Sequence, residues 1–155
     1  MPPTIHLRDV VGEMEGFDDT FRSFLNRATG ELATVGIEDL SAVEDGYDLE
    51  AYPQWQREAI QKAEEIMVSD DWLDLPSKFE IHEWEIMRDF CYSLDDQRLS
   101  SELLDAIHGS GAFRAFRNTI YYRGIEERWY SYRQDALEQI ARDWLERNEI
   151  PFVED

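Results

Sequence analysis

Phe21–Val35 reads FRSFLNRATGELATV. Its two short runs, Phe21–Asn26 and Leu32–Val35, are rich in Phe, Leu, Val and Thr and carry no helical period. Ala28-Thr29-Gly30 stands between them, and Gly30 can supply the positive φ that a tight reversal needs. The pair is therefore expected to form a β-hairpin. A lone hairpin is marginal in water, so helices must cover it.

Those helices are legible on both sides. Upstream, Leu7, Val10, Val11 and Met14 recur at helical spacing, in a helix expected to stop near Gly16. Downstream, Glu38–Glu50 is acidic and weakly periodic, and is expected to be a mobile, exposed connection. From Gln54 the helical period returns through Trp55, Ala59, Ala63, Ile66 and Met67 and closes at Ser69-Asp70-Asp71. Trp72–Leu75 precedes Pro76, a context that favours extended backbone, so a third strand can join the hairpin.

Beyond it the chain reads as helices. Ser77 and Glu80 have capping-box spacing, ahead of a stripe of Ile81, Trp84, Met87, Cys91 and Leu94. Asp95-Asp96 caps a second helix carrying Leu99, Leu103, Ala106 and Ile107, closed by Gly109. Phe113, Phe116 and Ile120 line a third, ending at Gly124. Ile125, Trp129, Tyr132, Ala136, Ile140 and Trp144 line a fourth, ending near Asn148 ahead of Pro151. The expected class is α+β, a small antiparallel hairpin-based sheet packed against a predominantly helical C-terminal two-thirds. A chain of 155 residues can bury about 68–70% of its unfolded surface as one domain, so residues 1–155 are read as a single domain.

Charge is the extreme feature, at −20. Up to His108 the chain has 26 acids against 8 Lys or Arg; after it, 9 against 7. Such a surface repels nucleic acid and anionic membrane, because phosphate binding needs clustered Lys and Arg. Only Lys62 and Lys78 are lysines, which favours planar, bidentate arginine pairing over loosely solvated charge. Acidity of this kind also serves solubility or tolerance of high salt. No apolar run reaches the ~20 residues of a bilayer span, and MPPTIHLRDV lacks a signal-peptide pattern. Cys91 is the lone cysteine, so no internal disulfide is expected and a cytoplasmic location is the default.

The basic residues concentrate among aromatics in the last third. Arg133 falls within the stripe of Trp129, Ala136 and Ile140, where a charge must be paired or reach an opening. Arg117 stands near the Phe113/Phe116/Ile120 stripe, with Arg114 and Tyr121 beside it. Arg114, Arg117, Tyr121 and Arg133 are thus the candidate site for an anion or a partner. The competing reading has these arginines pairing with acids of the first two-thirds.

Other motifs carry less. Gly109-Ser110-Gly111 has neither the preceding strand nor the Lys-Ser/Thr pair of a phosphate loop and reads as a helix-to-helix turn. His82-Glu83-Trp84-Glu85-Ile86 lacks the second His of a zinc protease; His82, Glu85 and Asp89 share a face that reads as solvated, so no metal is expected. Cys91 lies on an apolar stripe and reads as core. No Ser/His/Asp order or dinucleotide fingerprint occurs, so neither a catalytic residue nor a cofactor is assigned.

Gly111-Ala112-Phe113-Arg114 with Phe116, Gly124-Ile125, Trp129-Tyr130, Arg133 and Ala141 through Trp144-Leu145 closely resemble the C-terminal part of a bacterial family, uncharacterised protein family 0158. Thr29-Gly30-Glu31 and Pro76 before a helix with Asp89-Phe90 resemble it upstream, more loosely over residues 36–72. The resemblance implies a shared fold and brings no activity or catalytic residue to carry over. The expected function is a small acidic binding or adaptor module for a protein or an anionic small molecule, with an Arg/Tyr anion pocket. Two alternatives differ in kind: an enzyme acting on a small anionic substrate with His82 or a carboxylate, or a nucleic-acid-mimicking inhibitor of a basic protein.

Overall fold

The hairpin forms where the sequence places it. A computed structural model describes residues 4–15, 20–77 and 81–154. In it β1 (Phe21–Asn26) pairs antiparallel with β2 (Leu32–Gly36), in a register that sets Phe21 against Gly36 and Leu25 against Leu32. The turn is built by Asn26, whose side-chain oxygen accepts from the backbone N–H of Ala28 at 2.8 Å and of Thr29 at 3.1 Å. This satisfies a buried polar side chain and lets Gly30 close the reversal at φ 79°. The third strand also forms: β3 (Trp72–Asp74) pairs antiparallel with the free side of β1, giving the order β2-β1-β3.

The chain divides into two compact units, Met1–Ser77 with Ala141–Asp155, and Lys78–Ile140. In the first, α1 (Leu7–Glu15) buries the four residues its spacing predicts, Leu7, Val10, Val11 and Met14. Gly16, its expected stop, lies outside the described residues. Phe24, Val35 and Trp72 from the sheet pack with Leu40, Ala63 and Ile66. Leu25, the neighbour of Phe24, is also fully buried, and successive strand residues point to opposite faces, so both faces of β1 are covered.

One expectation needs correcting. The stretch 38–50, read as a mobile connection, overlaps α2 (Ile37–Asp45), which starts directly from β2 and inserts Leu40 into that core. Gly46, at φ 78°, ends it; a 3-10 turn at Leu49–Ala51 follows, capped by Asp48 through the N–H of Glu50. Then α3 (Gln54–Val68) buries Ile60, Ala63 and Ile66. Residues 150–154 return to the first helix: Leu7 N–H donates to the Val153 carbonyl at 2.9 Å, and Val153 N–H to that of Ile5 at 2.8 Å.

The second unit holds helices joined by short turns, with no strand among its described residues: α4 (Glu83–Ser93), α5 (Gln97–Ile107), α6 (Ala112–Tyr122) and the start of α7 (Glu126–Arg147). Asp96 caps α5 as expected, accepting from the N–H groups of Arg98 and Leu99. Glu80 of the expected capping box lies outside the described residues. The residue flanking α4 is His82, in left-handed backbone at φ 53°. Phe90, Phe116 and Trp129 meet edge-on, with ring centroids 4.8 to 6.3 Å apart. Three stripes differ from expectation: Trp55 and Met67 of α3 are exposed, Phe113 is about half exposed, and α7 buries Leu137, Ala141 and Leu145 beside the expected Trp129 and Trp144.

Candidate functional site

The four candidate residues separate into two groups. Arg114, Arg117 and Tyr121 sit three, then four, positions apart on α6, so they share one face, and all three are exposed. The opposite face of that helix buries Phe116 and Ile120. Phe113 and Tyr122 flank the exposed face, Tyr122 at 87% of its free accessibility. Gly111 at φ 71° opens the helix and Gly124 at φ 67° closes it, both in backbone that a side chain would strain.

Charge sets this helix apart. It is the one helix among the described residues with no acidic side chain, and residues 106–125 as a whole contain none. The second unit nevertheless holds 12 acids against 8 Lys or Arg. Among the described residues no ion pair engages Arg114 or Arg117, whereas Arg123, just past the helix, bonds Glu102 at 2.6 Å.

Arg133 has a different role. From α7 it meets Glu83, in the first turn of α4. Its Nε donates to Oε1 at 3.1 Å and to Oε2 at 3.3 Å, and its Nη2 donates to Oε1 at 2.5 Å. Both side chains are 27% exposed. Two guanidinium nitrogens thus converge on Oε1, a charge-assisted contact stronger than a neutral one, and Glu83 also stands at the positive end of its helix. Arg133 is therefore a tie between α4 and α7, a pair that the sequence could not show. Glu83 lies 50 positions away, and no local pattern links the two.

The reactive groups offer little chemistry. Cys91 is fully buried, and burial pushes its thiol up to about 11, so thiolate is scarce at neutral pH. Tyr132 is raised too, first by burial and then by the charge of Asp89. His82 is exposed, while His108 ends α5 with Nδ1 2.5 Å from the Leu104 carbonyl. Among the described residues, no group of three or more His, Cys, Asp or Glu is placed to hold a metal ion. Nor is any described helix long and apolar enough to cross a membrane.

Fold and surface together define a strongly acidic α+β protein with one basic and aromatic helix face. The chain matches the model of Uncharacterised protein family (UPF0158) over residues 2–155 and belongs to that family. It is 30% identical over 66 residues to a UPF0158 protein of Pseudomonas aeruginosa, a match covering 42% of this chain and 43% of that relative. The chain thus spans less than half the length of the curated relative it matches. No solved structure matches the chain.

Proposed function

We propose that the chain is a binding or adaptor module that meets a carboxylate-rich protein segment through the exposed face of α6. The observation that carries this is the composition of that face: Arg114, Arg117 and Tyr121 between Phe113 and Tyr122, with no acid on the helix, in a chain of charge −20. Protein interfaces are enriched in Arg and aromatics and depleted in Asp, Glu and Lys, which is the pattern here. A protein suits this face better than a small anion, because small-ligand sites are concave and the exposed side of a helix is convex. Arg133 is left out of the surface, since Glu83 already engages it. The single buried thiol is in keeping with a cytoplasmic setting.

The test is capture from lysate with three baits: wild type, Arg114→Ala/Arg117→Ala, and an acidic-surface reversal, Glu58→Lys/Glu65→Lys. Wild type and the reversal should retain a shared partner. The α6 variant should lose it, each truncated arginine weakening binding by about tenfold. Equal retention by all three baits refutes the reading.

A further inference from the structure

The sheet order β2-β1-β3 leaves two outer edges, and they differ. The edge of β3 is three residues long, carries Asp74, and is flanked by Asp71 and Pro76. Short length, charge and proline are the devices by which proteins keep a strand edge from pairing. The outer edge of β2 has none of them. Leu32–Ile37, LATVGI, contains no charged residue and no proline, in a chain that is 32% charged. Its register with β1 runs unbroken from Leu32 to Gly36, without a bulge. At its ends Asn26 N–H donates to the Glu31 carbonyl and Ile37 N–H to that of Thr20. Alternation along the antiparallel ladder then turns Leu32, Thr34 and Gly36 away from β1. Among the described residues no hydrogen bond engages the N–H groups of these three. The strand is accessible: Thr34 is exposed, Leu32 and Gly36 are half-buried, and Ile37 beside them is 40% exposed.

We propose that β2 accepts an extended segment of a partner protein, basic at its ends, as a fourth strand of the sheet. The unpaired backbone supplies the pairing, and the charge around it selects the occupant. Glu31 and Glu38 stand at the two ends of the run, and Asp39 follows in the first turn of α2. Glu13 of α1 accepts from the Thr34 hydroxyl at 2.9 Å. Among the described residues, Lys62, bonded to Glu31 at 2.7 Å, is the one cation that pairs with any of these four carboxylates. A second copy of this chain would bring a β2 without a cation and a further charge of −20, so it fits this edge poorly. Lys or Arg at the ends of a foreign strand would instead face Glu31 and Glu38, as opposite charges across a ladder do. The edge prefers the opposite charge to the α6 face and does not rest on that reading.

The probe is an acetylated, amidated peptide, Lys-Val-Thr-Val-Thr-Val-Lys, titrated into the isotope-labelled full chain and read by amide NMR. Saturable shifts should centre on Leu32, Thr34 and Gly36, and these three amides should gain protection from hydrogen exchange. The same peptide with Glu at both ends should bind about tenfold more weakly. The parent peptide N-methylated at each Val and Thr keeps its charge but cannot pair, and should not bind. Gly36→Pro removes one outward donor and no bond to β1: Gly36 has φ −72°, which proline adopts. A Cβ there lies closest to the Asp39 carboxylate, at 3.1 Å, the end of a flexible side chain. This variant should bind about fivefold more weakly, while Phe24 and Val35 keep their wild-type amide protection. Equal binding of the N-methylated peptide, or shifts spread over the acidic surface, overturns the proposal, since charge alone would then suffice. Shifts of the same three amides with protein concentration, without peptide, overturn it in favour of a second copy. Arg114→Ala/Arg117→Ala should bind the peptide as wild type does, which keeps this result separate from that for the α6 face.

Discussion

Cys91 has no accessible surface, and its thiol rises from 9.0 to about 11 because burial disfavours the thiolate. In the unfolded chain the thiol ionises as pH passes 9; in the folded protein it keeps its proton until about 11. The folded state therefore binds the proton more tightly. The resulting stability is fully present below pH 9 and is lost as pH climbs through the folded value. Cys91→Ala removes this dependence and, at pH 8, costs on the order of 1 kcal/mol for the lost sulfur contacts. The stability difference should move by on the order of 1–2 kcal/mol in favour of the variant between pH 8 and 10.5, so the deficit vanishes or reverses, measured by urea unfolding. Tyr47 and Tyr132, whose hydroxyls are also raised, are present in both proteins and cancel in the difference. A deficit constant across that range would mean that water reaches the thiol.

Between elements, the two-nitrogen contact of Arg133 with Glu83 is the connection to test. Both side chains are mostly covered, so removing Arg133 leaves the Glu83 carboxylate half-desolvated without its guanidinium. Arg133→Ala is expected to lower stability by about 1–2 kcal/mol. Arg133→Lys should recover only part of this, because an ammonium has one nitrogen where the guanidinium engages Glu83 with two. The double variant with Glu83→Ala should cost less than the sum of the single variants by about 1 kcal/mol, in a denaturant double-mutant cycle. Additive costs would show that the two groups act separately. Local sequence could not reveal this pair, because it depends on how two distant helices pack. What it did reveal rests on strong local rules: the two extended runs around Gly30, the strand before Pro76, and the Asp96 cap. Helix α2 escaped for a physical reason. It buries only Leu40, so it has no apolar stripe to read, and its four acids imitate a solvated loop. Along α7 the expected Tyr132 and Ile140 are only half-buried, whereas Leu137 and Ala141 are fully buried, because the packed face is rotated from the stripe that the aromatics suggest. Phe113, at the margin of its stripe, proved to be surface, and that exposure made α6 a candidate interface.

For the molecule as a whole, 35 acids against 15 Lys and Arg leave most carboxylates without a cationic partner, whatever pairs form. Salt acts on such a protein in two opposing ways. It weakens exposed pairs such as Arg22–Asp74 and Arg27–Asp71, each at least half exposed. Pairs of that kind contribute about 0–1 kcal/mol apiece. It also screens mutual repulsion among the excess acids, a penalty that grows with net charge and spans the whole surface. With 20 uncompensated negative charges the second effect wins. The melting temperature should therefore rise when sodium chloride is increased from about 20 mM to 0.5 M, as the Debye length falls below about 5 Å. Chloride is the salt of choice, because sulfate would strengthen apolar burial by exclusion and confuse the cause. Reversing Glu58 to Lys reduces the excess by two charges, so that variant should melt higher at low salt and gain less from added salt. A melting temperature that falls with sodium chloride would instead make the ion pairs, Arg133–Glu83 foremost, the dominant electrostatic contribution to the fold.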